Sequence, residues 1–443
     1  MNKIIAVGYI SRLLSVASGV LILPLIMNDL TNEQFTIWMV FTAAYMFQNV
    51  LDFGFCSSFT RYFSYAVAGR KKLILRELSH ESGRVDERFF SELLTLSKII
   101  YAILSVVCVF ICVIFYYTYI ATLEVKLDLN LQASWSVMSL AIIVQVYFLY
   151  LNSLFQGVGR VYDIQLASII SNVVFLFLGF VLIKADLNIL GLCIARFIST
   201  LSYRITLLYY MKVSKLVEFK LNWILPKKDD AKVVFFQSIK TGVSSAGLYF
   251  NGRGMIFLSS LYLSASDSSA FTLVSTIFLT ILSLAMVSNN MYLPKVYEYS
   301  SKGDTIRLQG IIKKVFILGL FTIIIPSIVF IFSKEFVYNI IDSKVPTPSV
   351  MLILVFILYS VLEFIYQLSI NIQVSINNLR YVYTLAISCI MSLCMVWLFF
   401  VVLGFNQYYY ILLSFIVSQA FFNYWYWPFK SYKILVNKNE CSI

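Results

Sequence analysis

The sequence predicts an all-α membrane protein with about twelve membrane-spanning helices. Three observations carry that prediction. Hydrophobic residues fill 60% of the 443 positions and charged residues only 13%, whereas an ordinary soluble domain is roughly a quarter charged. Apolar stretches of about 20 residues, the helical length that crosses a hydrocarbon core, recur along the whole chain. Lysine and arginine gather in every second connection between those stretches.

Taken in order, the stretches fall at about 4–27, 34–53, 97–120, 133–155, 164–184, 189–211, 236–262, 268–292, 312–333, 349–377, 380–403 and 408–430. The first opens on Asn2-Lys3 in the manner of a signal peptide. No small-residue cleavage site follows, and the run contains Arg12 and continues to Pro24, so it reads as a retained first helix. Polar turns separate the others, for example Asn28-Asp29-Leu30-Thr31-Asn32-Glu33 and Gly404-Phe405-Asn406-Gln407. Strands of a membrane barrel would be shorter and would alternate in polarity, which these stretches do not. The Arg70–Lys98 segment spaces Leu73, Leu75, Leu78, Phe89, Leu93 and Leu96 among charges and reads as an amphipathic helix on the membrane face.

Charge placement tests the topology independently. The connection after the second stretch carries Arg61, Arg70, Lys71, Lys72, Arg76, Arg84, Arg88 and Lys98. The central one carries Lys212, Lys215, Lys220, Lys227, Lys228 and Lys232. The one after the eighth carries Lys295, Lys302, Arg307, Lys313 and Lys314. Lys3, Arg160, Arg380, Lys430, Lys433 and Lys438 fall on the same side, while the other side has only Lys126, Lys184, Lys334 and Lys344. The positive-inside rule then puts both termini in the cytoplasm. This distribution also explains the net charge of +12 without any nucleic-acid partner. The single histidine, His80, and seven cysteines with no CxxC pair argue against zinc or histidine-based catalysis.

The basic segment 212–235 divides the chain into two six-helix bundles, 1–211 and 236–443. The halves echo each other. Phe35-Thr36 near the start of the second stretch matches Phe271-Thr272 near the start of the eighth. Gly159-Arg160-Val161-Tyr162 joins stretches four and five, as Leu379-Arg380-Tyr381-Val382 joins ten and eleven. Like halves of six crossings each are a layout common among secondary transporters.

Leu23-Pro24-Leu25-Ile26, Phe35-Thr36-Ile37-Trp38, Leu51-Asp52-Phe53-Gly54-Phe55 with Arg61-Tyr62, and Gln156-Gly157-Val158-Gly159-Arg160 together resemble bacterial polysaccharide flippases. These belong to the multidrug/oligosaccharidyl-lipid/polysaccharide (MOP) exporter superfamily, and the chain is most similar to its O-antigen (Wzx) branch. The resemblance implies a V-shaped pair of bundles in the bacterial inner membrane, working by alternating access. It also implies an undecaprenyl-diphosphate-linked oligosaccharide as cargo, moved from the cytoplasmic to the periplasmic leaflet, with polymerase and chain-length proteins as further partners. The drug-exporting branch uses an acidic residue within the first helix. Here that helix holds Arg12 and no carboxylate, which fits the polysaccharide branch better.

An anionic diphosphate needs cationic partners inside the membrane, and arginine binds phosphate oxygens bidentately. Arg12 and Arg253, in the first stretch of each half, and Arg196 in the sixth are the candidate substrate-binding residues, with Arg61 beside them. Each is read against a purely structural ion pair or carbonyl contact. Arg204 and Lys240 lie close enough to the cytoplasmic face to snorkel. Glu363, mid-way through the tenth stretch, is the candidate for coupling to protons or sodium ions, against a salt bridge to an arginine. Asp52 is a second coupling candidate, against a local helix cap. No organic cofactor and no catalytic group is implied. The competing functions are a cation-coupled small-molecule or drug exporter of the same superfamily and a membrane-embedded O-antigen polymerase. The short outer connections disfavour the latter.

Overall fold

The computed structural model describes residues 22–67, 87–127, 131–213, 228–301, 304–376, 378 and 380–436. Local sequence sets most helix ends. A short α1 (Leu23–Asp29) carries Pro24 in its first turn, where the missing N–H leaves nothing unsatisfied. α2 (Asn32–Met46) opens on a capping box. Gln34 N–H donates to the Thr31 hydroxyl at 3.3 Å, and Thr31 N–H donates back to Gln34 Oε1 at 3.2 Å. After α3 (Gln48–Leu51) the chain turns through Phe53 and Gly54, both at positive φ, into α4 (Phe55–Val67).

α5 (Glu87–Phe115) runs through one π turn at Tyr116–Ile120 into α6 (Ala121–Leu127). It begins about ten residues before the apolar stretch predicted there. Phe89, Leu93 and Leu96 are buried in the core beside Phe59 and Phe63 rather than spread on a membrane face. The earlier part of that expected amphipathic segment lies outside the described residues. α7 (Gln132–Tyr147) and α8 (Leu149–Gly157) are one predicted stretch interrupted at Phe148.

α9 (Val161–Lys184) and α10 (Asn188–Val213) follow, then α11 (Lys228–Tyr262), α12 (Ala265–Ser301), α13 (Thr305–Ile341) and α14 (Val350–Ser375). Side chains cap three of these starts: Asp267 N–H donates to Ser264 Oγ, Arg307 N–H to Asp304 Oδ1, and Leu352 N–H to Ser349 Oγ. α13 stays unbroken through Pro326. α15 (Tyr381–Trp397) ends in a second π turn at Leu398–Val402, and α16 (Tyr409–Ala420) and α17 (Tyr426–Val436) complete the described chain.

Among the described residues, eight helices are long and apolar enough to cross a membrane: 88–126, 132–157, 161–184, 188–213, 265–293, 305–341, 350–375 and 381–402. The 4–27 stretch lies largely outside the described residues. α2 and α16 stop after 15 and 12 residues. α11 is long enough at 35 residues, but Lys228, Asp229, Asp230, Lys232, Lys240 and Arg253 lower its hydropathy.

The distribution of polarity is inverted relative to a water-soluble protein. Ser153, Ser259, Thr272, Gln373 and Asn423 are buried, while long stripes of α5 and α13 expose aliphatic and aromatic side chains, Phe332 to 82%. Only a hydrocarbon solvent makes that arrangement favourable, since interior polar groups bond each other and the outer face needs no water. The chain is therefore an all-α, multi-pass membrane protein.

The described residues divide into two compact units. The first takes the chain up to Leu30 and Phe41–Ala246, the second Thr31–Val40 and Gly247 onward. The first is centred on Phe59, Phe63, Phe90, Leu151 and Phe155. The second is centred on Phe271, Phe278, Phe356, Phe364 and Phe415.

Candidate functional site

In the second unit, Tyr359, Glu363 and Gln367 recur every four residues along α14 and so share one face of it. Glu363, 2% exposed, accepts three hydrogen bonds. Asn251 Nδ2 and the Tyr424 hydroxyl donate to Oε2 at 2.7 and 3.3 Å, and Gln367 Nε2 donates to Oε1 at 2.9 Å. The Tyr359 hydroxyl donates to the Asn251 main-chain carbonyl at 2.9 Å. No salt bridge to an arginine forms among the described residues; neutral donors surround the carboxylate instead. Neutral donors offset only part of the cost of a charge in hydrocarbon. Asn251 Oδ1, buried beside the acid, has no hydrogen-bond partner. Carboxylate, amide carbonyl and hydroxyl oxygens are the hard donor set that suits a proton or a small hard cation.

Arg253 follows Asn251 by two residues on α11, which turns it by about 200° onto another face. Its side chain is half-buried, and it makes no hydrogen bond or ion pair among the described residues. Tyr249, one turn earlier, is the ionisable group in its electrostatic reach. Arg253 and Glu363 thus occupy the same unit without neutralising each other.

The first unit holds the other described candidates. The Arg196 guanidinium sits 3.8 Å from the Phe175 ring centroid and 5.3 Å from that of Tyr45, with no carboxylate paired to it among the described residues. Its Nε is buried without a hydrogen-bond partner. Asp52 acts as a local cap. Cys56 N–H donates to Oδ1 at 3.1 Å at the start of α4, and the Tyr101 hydroxyl donates to the same oxygen at 2.5 Å. Arg61 is exposed on α4, its guanidinium 5.3 Å from the Tyr62 ring centroid. Arg12 lies outside the described residues.

Arg204 corrects the expectation that it snorkels. It is 1% exposed and closes the break between α7 and α8. Nη1 donates to the Phe148 carbonyl and to Asn152 Oδ1, and Nη2 to the Gln145 carbonyl, all at 3.0 Å. Tyr203 shares Asn152 Oδ1 at 3.2 Å, and its ring lies 4.9 Å beneath the guanidinium. A helix break frees main-chain carbonyls that hydrocarbon cannot solvate, and a buried arginine supplies their donors.

Two of the sequence motifs also have local structural work. Gly159, at φ +80°, ends α8: Gly159 N–H donates to the Gln156 carbonyl and Arg160 N–H to that of Phe155. Gly157 lies against α4, where a Cβ would stand 2.5 Å from Phe63 Cβ and 2.7 Å from the Thr60 carbonyl. Arg160 pairs with Asp163 at 2.7 Å. At the other motif, Phe53 fits against Gly242 of α11, where a Cβ would come within 2.4 Å of its ring.

A family model described as a polysaccharide biosynthesis protein matches residues 3–300. No curated protein matches the chain in sequence. Among solved structures, an inward-facing multidrug resistance MATE family transporter of the MOP superfamily is similar over 98% of this chain and 96% of its own. The identity is 13% and the TM-score 0.67. An outward-facing one is similar over 99% and 97%, at 12% identity and a TM-score of 0.63. A MOP superfamily transporter from Pyrococcus furiosus, described as having a binding pocket of reverse polarity that suggests a different function, is similar over 98% and 96%, at 12% identity and a TM-score of 0.59. At such identities the likeness establishes a shared fold.

Proposed function

The chain belongs to the polysaccharide biosynthesis protein family, and on that premise we propose that it is a flippase for an undecaprenyl-diphosphate-linked oligosaccharide. Cargo would pass from the cytoplasmic to the periplasmic leaflet of a bacterial inner membrane. The proposal includes twelve crossings in two six-helix bundles, 1–211 and 236–443, arranged as a V about the linker 212–235, with both termini cytoplasmic and alternating access. The observation that carries it is Arg253, an intramembrane arginine unpaired among the described residues. An uncompensated cation there costs several kcal/mol unless an anion or water reaches it, and a diphosphate is the anion this family's cargo would bring. Arg196, also without a carboxylate, and Arg12 and Arg61 are further phosphate partners in this proposal. Glu363, held by neutral donors beside an unpartnered amide oxygen, is the coupling residue.

The experiment is deletion of the gene in its host, followed by assay of lipid-linked repeat units. Loss of a flippase traps single completed units on the cytoplasmic leaflet. If units still reach the periplasm and only chain length changes, the flippase reading fails and a polymerase takes its place.

The second reading, a cation-coupled small-molecule or drug exporter, draws on the solved structures. They back it more directly than the first reading, because the two nearest in shape named above are multidrug transporters. The Pyrococcus furiosus protein weighs the other way, its description associating this fold with a pocket of reversed polarity. Uptake of a cationic dye in everted vesicles, dependent on Glu363 and indifferent to Arg253, would establish the exporter instead.

A further inference from the structure

α17 follows a turn at residues 421–425 and has two unlike faces. One is fixed to the second unit by polar contacts. The Trp427 indole N–H donates to Thr384 Oγ1 at 2.8 Å. Ser431 Oγ donates to the Ser369 carbonyl at 3.1 Å and accepts from Gln373 Nε2 at 2.8 Å. The other face exposes Phe429 and Tyr432, the latter to 63%, with Trp425 exposed just before the helix. Between the faces, Lys430 Nζ lies 5.4 Å from the Trp427 ring centroid and 5.9 Å from that of Tyr426. Lys433 Nζ lies 4.7 Å from the Phe429 centroid. Neither lysine has a carboxylate partner among the described residues. The adjoining start of α13, tied to α17 by Gln309 Nε2 donating to the Leu435 carbonyl, adds Lys314 over the Tyr292 ring.

The exposed stripe of α13 from Ile317 to Val329 is aliphatic and phenylalanine and contains no lysine. A surface for bulk water would not expose tryptophan, phenylalanine and tyrosine side by side. Aromatic rings interleaved with lysines suit the boundary between acyl chains and headgroups. The ring contacts hold both ammonium groups in place without neutralising them, so their charge remains available to an anion beside the rings.

We infer that α17 is a binding site for anionic phospholipid, with Lys430 and Lys433 taking the lipid phosphate and Trp425, Phe429 and Tyr432 entering the boundary beneath it. The site does not depend on which cargo is carried. A free phosphate has the same charge but nothing to place against the exposed rings, so the lipid is the occupant the surface selects.

The test uses the delipidated full chain in detergent, titrated with phosphatidylglycerol or phosphatidylcholine and followed by native mass spectrometry. Phosphatidylglycerol should bind more tightly than phosphatidylcholine. K430Q and K433Q should each weaken it about fivefold, the factor set by a basic residue at an anionic membrane surface, and K430R/K433R should restore it. Inorganic phosphate at millimolar concentration should not displace the lipid. Equal binding of the two lipids, undiminished binding by the double glutamine variant, or displacement by phosphate would each overturn the assignment.

Discussion

Replacing Arg204 with alanine removes three hydrogen bonds and one ring contact at a single buried position. In a water-soluble core, hydrogen bonds to a charged group contribute about 1.5–3 kcal/mol each. Within bilayers the measured values are smaller, averaging about 0.6 and reaching about 1.7 kcal/mol, because the disrupted state finds other partners. At about 1 kcal/mol for each bond and about 0.5–1 kcal/mol for the contact with Tyr203, R204A should lose about 3–4 kcal/mol. The assay is reversible unfolding in mixed dodecylmaltoside and SDS micelles, followed by far-ultraviolet circular dichroism. N152A should lose about 1 kcal/mol, and the double variant less than the sum of the two, since they share a bond. If R204A unfolds within about 0.5 kcal/mol of the parent, the helix break does not need its arginine and the reasoning is wrong.

Arg253 should behave in the opposite way. R253A should leave unfolding within about 0.5 kcal/mol yet abolish surface polysaccharide, so a large stability loss in the same micelle assay would move it to the structural class. E363Q preserves the shape of the buried network, so the protein should insert and fold. In proteoliposomes its transport should no longer respond to an imposed proton or sodium gradient, and an unchanged response would remove Glu363 as the coupling group. G157A forces a Cβ onto the Thr60 carbonyl and should cost about 1–3 kcal/mol. G159A meets nothing within 4 Å and should cost only the ~1 kcal/mol of its left-handed backbone; equal losses in thermal unfolding would contradict that division. G319A should destabilise, because a Cβ there would stand 2.0 Å from the Phe364 ring, which must move.

The helical class and most of the described elements are legible in the sequence because apolar length acts over tens of residues. What was hidden depends on single contacts between distant segments. Arg204 read as a snorkelling side chain since its distance from the helix end is countable, but no proline or glycine marks the break at Phe148 that it fills. Glu363 reads as a coupling acid, against a salt bridge to an arginine. Its actual partners, Asn251 and Tyr424, are brought to it only by packing, although the spacing of Tyr359, Glu363 and Gln367 could have signalled a polar face. The Gln156–Arg160 motif resembles a family signature in the sequence, and its glycines end α8 and admit α4. Sequence could place Arg196 in a membrane helix, but it could not show the guanidinium lying over Phe175.

The length of α13 bears on how motion in this protein becomes observable. Its 37 residues extend about 55 Å at 1.5 Å per residue, nearly twice a hydrocarbon core of about 30 Å. A continuous helix of that length acts as a pointer. A tilt of about 5° around its midpoint carries each tip roughly 2 Å sideways, beyond the lipid, where a probe can be attached without disturbing the packed interior. Ile306, exposed in the first turn of α13, is such a place. Whatever rearrangement tilts this helix, its ends carry the record past the hydrocarbon core.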